Sequence, residues 1–297
     1  MAILNKIIRV MKISQYLVKL EDMTNKKVIV TGGTSGIGLS LVKHLLNKHA
    51  KVVVMARNMK KAEEVKNQLL EIYPDNPLEF IQYDQSDKDS IVKACDEIIK
   101  NYQDFYAIVL NAGLIQSGKA ATFVNEVPQT INTNFVGVST IINHLIYRLK
   151  GEHRIIVQGS VAAGLHIKKL KTLKDNNPKT LRTYFISKAG VEALFHYHSK
   201  KDYQNISFYL VEPGVTNSEI IRDFPPLIRK LGHPFLKAVS HSPDKAALTA
   251  MVAMQSSTKP NAYIVPRGFL TCMGYPKFRN FPRIRERTYL IDLLNQL

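Results

Sequence analysis

Cysteine is scarce in this 297-residue chain: Cys95 and Cys272 lie far apart and belong to no CxxC or Cys/His cluster. That argues against a disulfide framework and a cysteine-based metal site, and it suits a reducing compartment. A cytoplasmic location is therefore expected, with peripheral membrane contact as an open question, and no metal is expected. Acidic residues are also few, 24 against 41 Lys and Arg, which leaves a formal net charge of +17. A field of that sign attracts phosphorylated cofactors, anionic lipids, nucleic acid or acidic proteins without choosing among them. No basic stripe is interleaved with aromatics, so a nucleic-acid partner is not expected. Much of the surplus is scattered Lys that reads as solvated helix faces. Low-complexity tracts, solenoid repeats and Gly/Ser/Pro-rich linkers are missing as well. With 45% hydrophobic and 22% charged residues, the chain suits one large α/β domain with extensions.

The first 22 residues place Ile3, Leu4, Ile7, Met11 and Val18 at helical spacing, with Lys6, Arg9, Lys12 and Lys19 largely on the other side. Charges interrupt every apolar run, which excludes a secretory core and a membrane span. This basic amphipathic N-terminal extension, 1–22, can pack on its own domain or lie on a membrane surface. A third reading makes Met23 the biological start, since a strand begins just after it.

From Lys26 to Thr31 a short β-branched run enters a glycine turn, and a helix is expected from about Ile37. Strand and helix then alternate: a strand at Val52–Met55, a helix over Met59–Ile72 closed by Pro74, a strand over Leu78–Tyr83 and a helix over Lys88–Asn101. A strand at Tyr106–Leu110, a helix over Thr130–Lys150, a strand at Arg154–Val157, a helix over Thr183–Ser199 and a strand at Ile206–Val211 follow. Such alternation predicts a Rossmann-like, doubly wound parallel sheet flanked by helices in a single domain, with ligands beyond the carboxyl ends of the strands. We assign that domain to 23–275 and a basic C-terminal extension with a short helix to 276–297.

Thr31-Gly32-Gly33-Thr34-Ser35-Gly36-Ile37-Gly38 sits where a phosphate loop belongs, between the first strand and the first helix. Glycines allow positive φ and close backbone approach, and the helix N-terminus offers N–H groups and partial positive charge to a pyrophosphate. A Gly-Lys-Ser/Thr ending is missing, which argues against a nucleotide triphosphatase loop. A turn whose glycines serve packing alone is the plainer alternative.

The TGxxxGIG pattern resembles the cofactor fingerprint of the short-chain dehydrogenase/reductase family, and further motifs follow in the family's order. Asp84 resembles the residue that contacts the adenine ring, and Asn111-Ala112-Gly113 the motif that supports the central sheet. Asn134 resembles the family's structural and catalytic asparagine, Ser160 its catalytic serine, and Tyr184-Phe185-Ile186-Ser187-Lys188 its YxxxK motif. Pro213-Gly214 resembles the turn beside the nicotinamide. The resemblance covers about Lys26 to Tyr275 and implies a homo-oligomer acting on a small-molecule carbonyl or alcohol. Leu110, Gly159 and Ser218 depart from the usual pattern, and none of these changes removes a catalytic functional group. The stretch Tyr263–Tyr275 and the insertion after Ser160 are similar to the retinol dehydrogenase branch, which implies a lipid, retinoid or steroid-like substrate. A solvated insertion without a substrate role explains that segment equally well. From Lys168 to Arg182 the insertion carries six basic residues and one acidic residue.

The chemistry of the residues points the same way. Tyr184 and Lys188 are four apart on one helix and share a face. An ammonium near a phenol is expected to lower its pKa toward a range useful for proton exchange. Ser160 can hydrogen-bond a substrate oxygen, and Asn134 can hold a water that links Lys188 to solvent. Arg57 follows Ala56 at the end of the second strand, where a carboxylate would otherwise bind the adenosine ribose. An arginine there can pair with a 2′-phosphate, so the expected cofactor is NADP(H), with a solvated arginine as the alternative. The expected function is an NADP(H)-dependent carbonyl/alcohol oxidoreductase. Its competitors are a noncatalytic NADP(H)-binding sensor or scaffold, and a membrane or acidic-partner adaptor using Lys277, Arg279, Arg283, Arg285 and Arg287.

Overall fold

The computed structural model describes residues 13–116, 122–166, 170–174, 179–216, 240–268, 271–282 and 285–297. The first half alternates β1 (Lys27–Thr31), α1 (Gly36–Asn47), β2 (Lys51–Ala56), α2 (Met59–Leu70), β3 (Leu78–Gln82), α3 (Lys88–Asn101) and β4 (Ala107–Leu110). A small hairpin, β5 (Phe123–Val124) and β6 (Val127–Pro128), precedes α4 (Gln129–Ile131), a wide π-helical turn over Asn132–Val136 and α5 (Gly137–Leu145). Then come β7 (His153–Gln158), a 3-10 turn over Val161–Leu165, α6 (Thr180–Ser199) and β8 (Ile206–Val211). The chain closes with α7 (Pro243–Ala246), α8 (Leu248–Ala253), β9 (Tyr263–Pro266), β10 (Pro276–Arg279) and α9 (Tyr289–Leu294).

The strands form one eight-stranded sheet in the order β10-β9-β8-β7-β4-β1-β2-β3, parallel except for the β10–β9 pair. Parallel strands covered by helices on both faces need a continuous apolar run, as Val28–Val30 of β1 and Val52–Ala56 of β2 supply. Alternation still assigns each side chain to a face. Ile29, Val53 and Met55 pack in the core that contains Phe135, Ile142 and Ala189 of α4–α6 and their connecting turn. Val28, Val30, Val52 and Val54 face the core that contains Leu41, Leu45 and Met251 of α1 and α8. The chain runs from β1 outward to β3 and then returns to the other side of β1 at β4. This reversal opens a crevice at the carboxyl ends of β1 and β4, where ligands bind in such sheets.

Two stretches differ from the sequence-based expectation. The continuous helix expected over Thr130–Lys150 is interrupted by the π turn at Asn132–Val136, a local widening that turns Asn134 inward. Strands β9 and β10 extend the sheet beyond the expected units. Residues 276–297 supply the edge strand β10 and the helix α9, whose Leu290, Ile291 and Leu293 are buried against the same core as α6.

The segment before Met23 packs on its own domain wherever it is described. Residues 13–18 are helical, Tyr16 stacks on Tyr275 at 4.9 Å, and Leu20 and Met23 are buried. Glu21 accepts hydrogen bonds from the Ser256 backbone N–H (2.9 Å) and hydroxyl. Lys48 donates to the Leu20 carbonyl at 2.7 Å. Residues 1–12, most of Lys168–Pro178, Ser218 and Arg283 lie outside the described residues. Among the described residues, no helix is long and apolar enough to cross a membrane.

Candidate active site

The glycine loop is stapled to the neighbouring strand before any ligand is considered. Asn111 donates to the carbonyls of Thr31 (2.9 Å) and Gly32 (3.3 Å), and Ala112 N–H donates to the Thr31 hydroxyl at 2.9 Å. Asn111 Oδ1 also accepts from Gln158 at 3.0 Å, which ties the ends of β1, β4 and β7 together. Gly38 opens α1 under the loop, where a Cβ would run into the Gly32 carbonyl oxygen. Ser35 places no side-chain cap on α1, so the hydroxyl leaves the first-turn N–H groups to another acceptor. At Gly36 a Cβ would meet nothing within 4 Å, which marks open space over the loop. Thr34 and Ile37 complete this cradle. Its shape and its donors fit a dinucleotide pyrophosphate.

Around that cradle, the other residues expected to contact a cofactor lie along the strand ends. Ala56 is buried and Arg57 is exposed at the end of β2, directly before Asn58, which caps α2 by accepting from Lys61 N–H at 3.0 Å. Asp84 follows β3 and accepts from the N–H (2.8 Å) and hydroxyl (2.6 Å) of Ser86. Gln85 is buried beside it and donates to the carbonyls of Ala112 (3.1 Å) and Thr133 (2.8 Å). Gly113 lies against Asn134 and Lys188: a Cβ there would stand 3.2 Å from Asn134 Oδ1 and 3.7 Å from Lys188 Nζ. On the far side, Gly214 has φ of +75° and its missing Cβ would collide with the Cys272 carbonyl. Val215 N–H donates to that carbonyl at 2.6 Å, and the Pro213 carbonyl lies 2.6 Å from His241 Nε2.

The four residues expected to carry chemistry converge on α6 and its neighbours. Tyr184 and Lys188 are buried on the helix, and Ser160, whose hydroxyl oxygen accepts from Ala162 N–H at 3.2 Å, lies beside the Tyr184 phenol. Burial raises the Tyr184 pKa, and the neighbouring Ser160 hydroxyl opposes that rise. This differs from the lowering by Lys188 expected from sequence. The reason is local: Lys188 points its ammonium to the Gln158 carbonyl at 2.9 Å, and it too has lost solvent. Burial pushes the Lys188 ammonium down to about 8, with Glu192 pulling it up. Both amide hydrogens of Asn134 are committed, to the Leu114 carbonyl (2.8 Å) and Ser187 hydroxyl (3.1 Å), while Oδ1 accepts from Leu114 N–H at 2.8 Å. Its side chain therefore braces the turn after Gly113 against α6.

Several neighbours of the site receive their role from the fold rather than from a motif. Gln158 anchors both Asn111 and Lys188, and Ser187 meets Asn134. Glu192 and Glu212 are fully buried beside the site and are bridged by Arg285. Glu192 was legible in principle, since it follows Lys188 by four residues and so shares its helix face. Arg285 carries no local signal. The sequence groups it with a basic end available to a membrane or an acidic partner, whereas Arg285 and Arg287 turn inward to Glu192. Among the described residues, no group of His, Cys, Asp and Glu could hold a metal ion.

The chain matches the family model for short chain dehydrogenase over residues 26–226. A short-chain dehydrogenase/reductase of Emericella nidulans is 26% identical over 273 residues, covering 84% of this chain and 86% of that protein. A crystal structure from Mycobacterium paratuberculosis shares the fold with a TM-score of 0.73 at 17% identity, covering 94% of this chain and 96% of that one. A short chain dehydrogenase from Burkholderia cenocepacia, solved in complex with NADP, aligns with a TM-score of 0.63 at 20% identity, covering 79% and 92% of the two chains. A family match over residues 26–226 and a doubly wound sheet have one reading: the chain belongs to the short-chain dehydrogenase family of oxidoreductases.

Proposed function

We propose that the protein is an NADP(H)-dependent oxidoreductase that interconverts a carbonyl and an alcohol, with Tyr184 as proton donor and acceptor. The observation that carries this reading is the burial together of Tyr184 and Lys188, four residues apart on α6, with Ser160 beside the phenol. A bound nicotinamide would supply or accept the hydride. Ser160 is placed to donate a hydrogen bond to the substrate oxygen and to stabilise the charge that develops there. Tyr184, held neutral by burial, keeps its proton until that oxygen needs it in the reductive direction. Lys188, whose ammonium rests on the Gln158 carbonyl, is the group that would bond the cofactor ribose, while Asn134 braces the turn after Gly113 against α6.

Preference for NADP(H) rests on Arg57, exposed beside buried Ala56 with no carboxylate at that strand end. The Burkholderia cenocepacia relative solved with NADP supports it. A hydrophobic substrate, lipid, retinoid or steroid-like, is supported by Leu165, which is 60% exposed on the turn just after Ser160. The partners are accordingly this substrate and a second copy of the chain, as is common in the family. A screen of hydrophobic carbonyls and alcohols with NADPH, NADP+, NADH and NAD+, read by nicotinamide absorbance, tests the proposal. Turnover with the phosphorylated pair and little with the other is expected. Tight NADPH binding without turnover on any substrate would turn the reading to a noncatalytic sensor.

A further inference from the structure

A buried ion cluster stands directly behind the catalytic residues, and its central cation comes from the far end of the chain. Glu192 lies one turn beyond Lys188 on α6, Glu212 immediately precedes Pro213, and both side chains are 0% exposed. Arg285 enters between them. Its Nε donates to Glu192 at 2.8 Å, and its Nη2 reaches the other Glu192 oxygen, Glu212 at 2.6 Å and the Ser160 carbonyl at 3.3 Å. Nη1 donates to the Tyr263 hydroxyl at 3.1 Å, and that hydroxyl donates to Glu212 at 2.6 Å. Arg287 adds a second cation 3.8 Å from Glu192.

Stability alone does not explain this arrangement. A buried ion cluster must recover a large desolvation cost, and well-packed apolar residues of similar volume often do as well or better. What apolar residues could not do is bond, from one planar group, a backbone carbonyl and two carboxylates on three separate segments. The guanidinium fork has fixed bond directions, whereas an ammonium is a point charge on a flexible stem. The three segments tied here are those that carry the reaction: the end of β7 with Ser160, the helix with Tyr184 and Lys188, and the turn of Pro213–Gly214. Glu192 is also the charge that acts on Lys188. Glu192 in turn is faced by Arg285 and Arg287 from the C-terminal segment, by Glu212 from the end of β8 and by Lys188 on its own helix.

We propose that Arg285 is a positioning residue for the oxidoreductase reaction, holding the Ser160, Lys188 and Pro213–Gly214 segments in one fixed arrangement. This rests on the reading of Ser160, Tyr184 and Lys188 given above. The C-terminal segment is then part of the active-site frame rather than an appendage.

The test separates charge neutralisation from positioning. Arg285→Gln strands two buried carboxylates, so its melting temperature should fall. Adding Glu192→Gln removes one of the two, while Glu212 keeps its bond from the Tyr263 hydroxyl, and should restore part of that loss. Positioning predicts that the double variant stays slow, with kcat at least about tenfold below wild type and KM for NADPH within about threefold. It also predicts faster hydrogen exchange, by about tenfold, at the amides of Ala163 and Val215, which wild type bonds to the Ser160 and Cys272 carbonyls at 3.0 and 2.6 Å. Arg285→Lys keeps the charge without the fork and should show the same kcat deficit in a more stable protein. A double variant with wild-type kcat and wild-type exchange would overturn the proposal and leave Arg285 a neutraliser of buried acids. The catalytic reading fails by a different result, undiminished turnover in Tyr184→Phe. The exchange rates at Ala163 and Val215 would then still decide the role of Arg285.

Discussion

Lys188 directs its buried ammonium to the Gln158 carbonyl at 2.9 Å, and Glu192, one helical turn on, is the charge that acts on it. Burial brings this lysine from 10.5 to about 8. A lysine whose folded pKa lies below its unfolded value destabilises the fold fully while both states are protonated. That cost is relieved as pH rises from about 8 toward the unfolded value. Melting experiments should therefore show this group's contribution to stability rising across that window. NADPH affinity should fall over the same window as the ammonium deprotonates, and Lys188→Met should lack both trends. Wild-type affinity that stays flat through pH 8 would contradict the assignment.

Tyr184→Phe keeps the ring and deletes the proton. It should fold, bind NADPH within about threefold of wild type and lose roughly a hundred- to ten-thousandfold in turnover. Cofactor titration beside steady-state kinetics checks both halves, and near-normal turnover would remove Tyr184 from its role.

Arg57 is exposed, so its replacement should cost little stability. Arg57→Ala should weaken NADPH by about ten- to a hundredfold, the value of a lost charge-assisted bond, and leave NADH within about twofold. Equal affinities of the wild-type protein for the two cofactors would show that Arg57 does not select the phosphate.

At Gly38 a methyl group has no room beside the Gly32 carbonyl. Gly38→Ala should push the loop off its staple to Asn111 and weaken both NADPH and NADH by about tenfold or more, since both share the pyrophosphate. Calorimetric titration of both cofactors reads this directly. A loss confined to NADPH would point away from the loop.

Residues 16–23 are anchored by buried Leu20 and Met23 and by the Glu21–Ser256 bonds. Met23→Ala should cost about 2 to 5 kcal/mol in denaturant unfolding, as for other buried large-to-small changes. Removing residues 1–22 should lower the melting temperature yet leave NADPH affinity intact below it, because β1 and the loop follow. Partition onto anionic vesicles, compared between full-length and truncated protein, decides whether the first residues also meet a membrane.

The sequence by itself determined the alternation of β-branched runs and helices, the glycine loop at the first strand end and the shared face of Tyr184 and Lys188. These are local: they follow from periodicity, from the backbone freedom of glycine and from the 3.6-residue helical turn. Even the direction of the cofactor expectation at Ala56-Arg57 needs only a strand end and a charge. The tertiary structure decided what surrounds those residues. Asn134 turns inward because the helix widens over Asn132–Val136. Tyr184 is raised rather than lowered because the core strips its water. Arg285, which in sequence is one of several cations in a basic tail, becomes the link between Glu192, Glu212 and Ser160. No periodicity marks such a residue, since Glu212, Glu192 and Ser160 lie 73 to 125 positions away, and only the closing of the sheet by β9 and β10 brings that segment to the site.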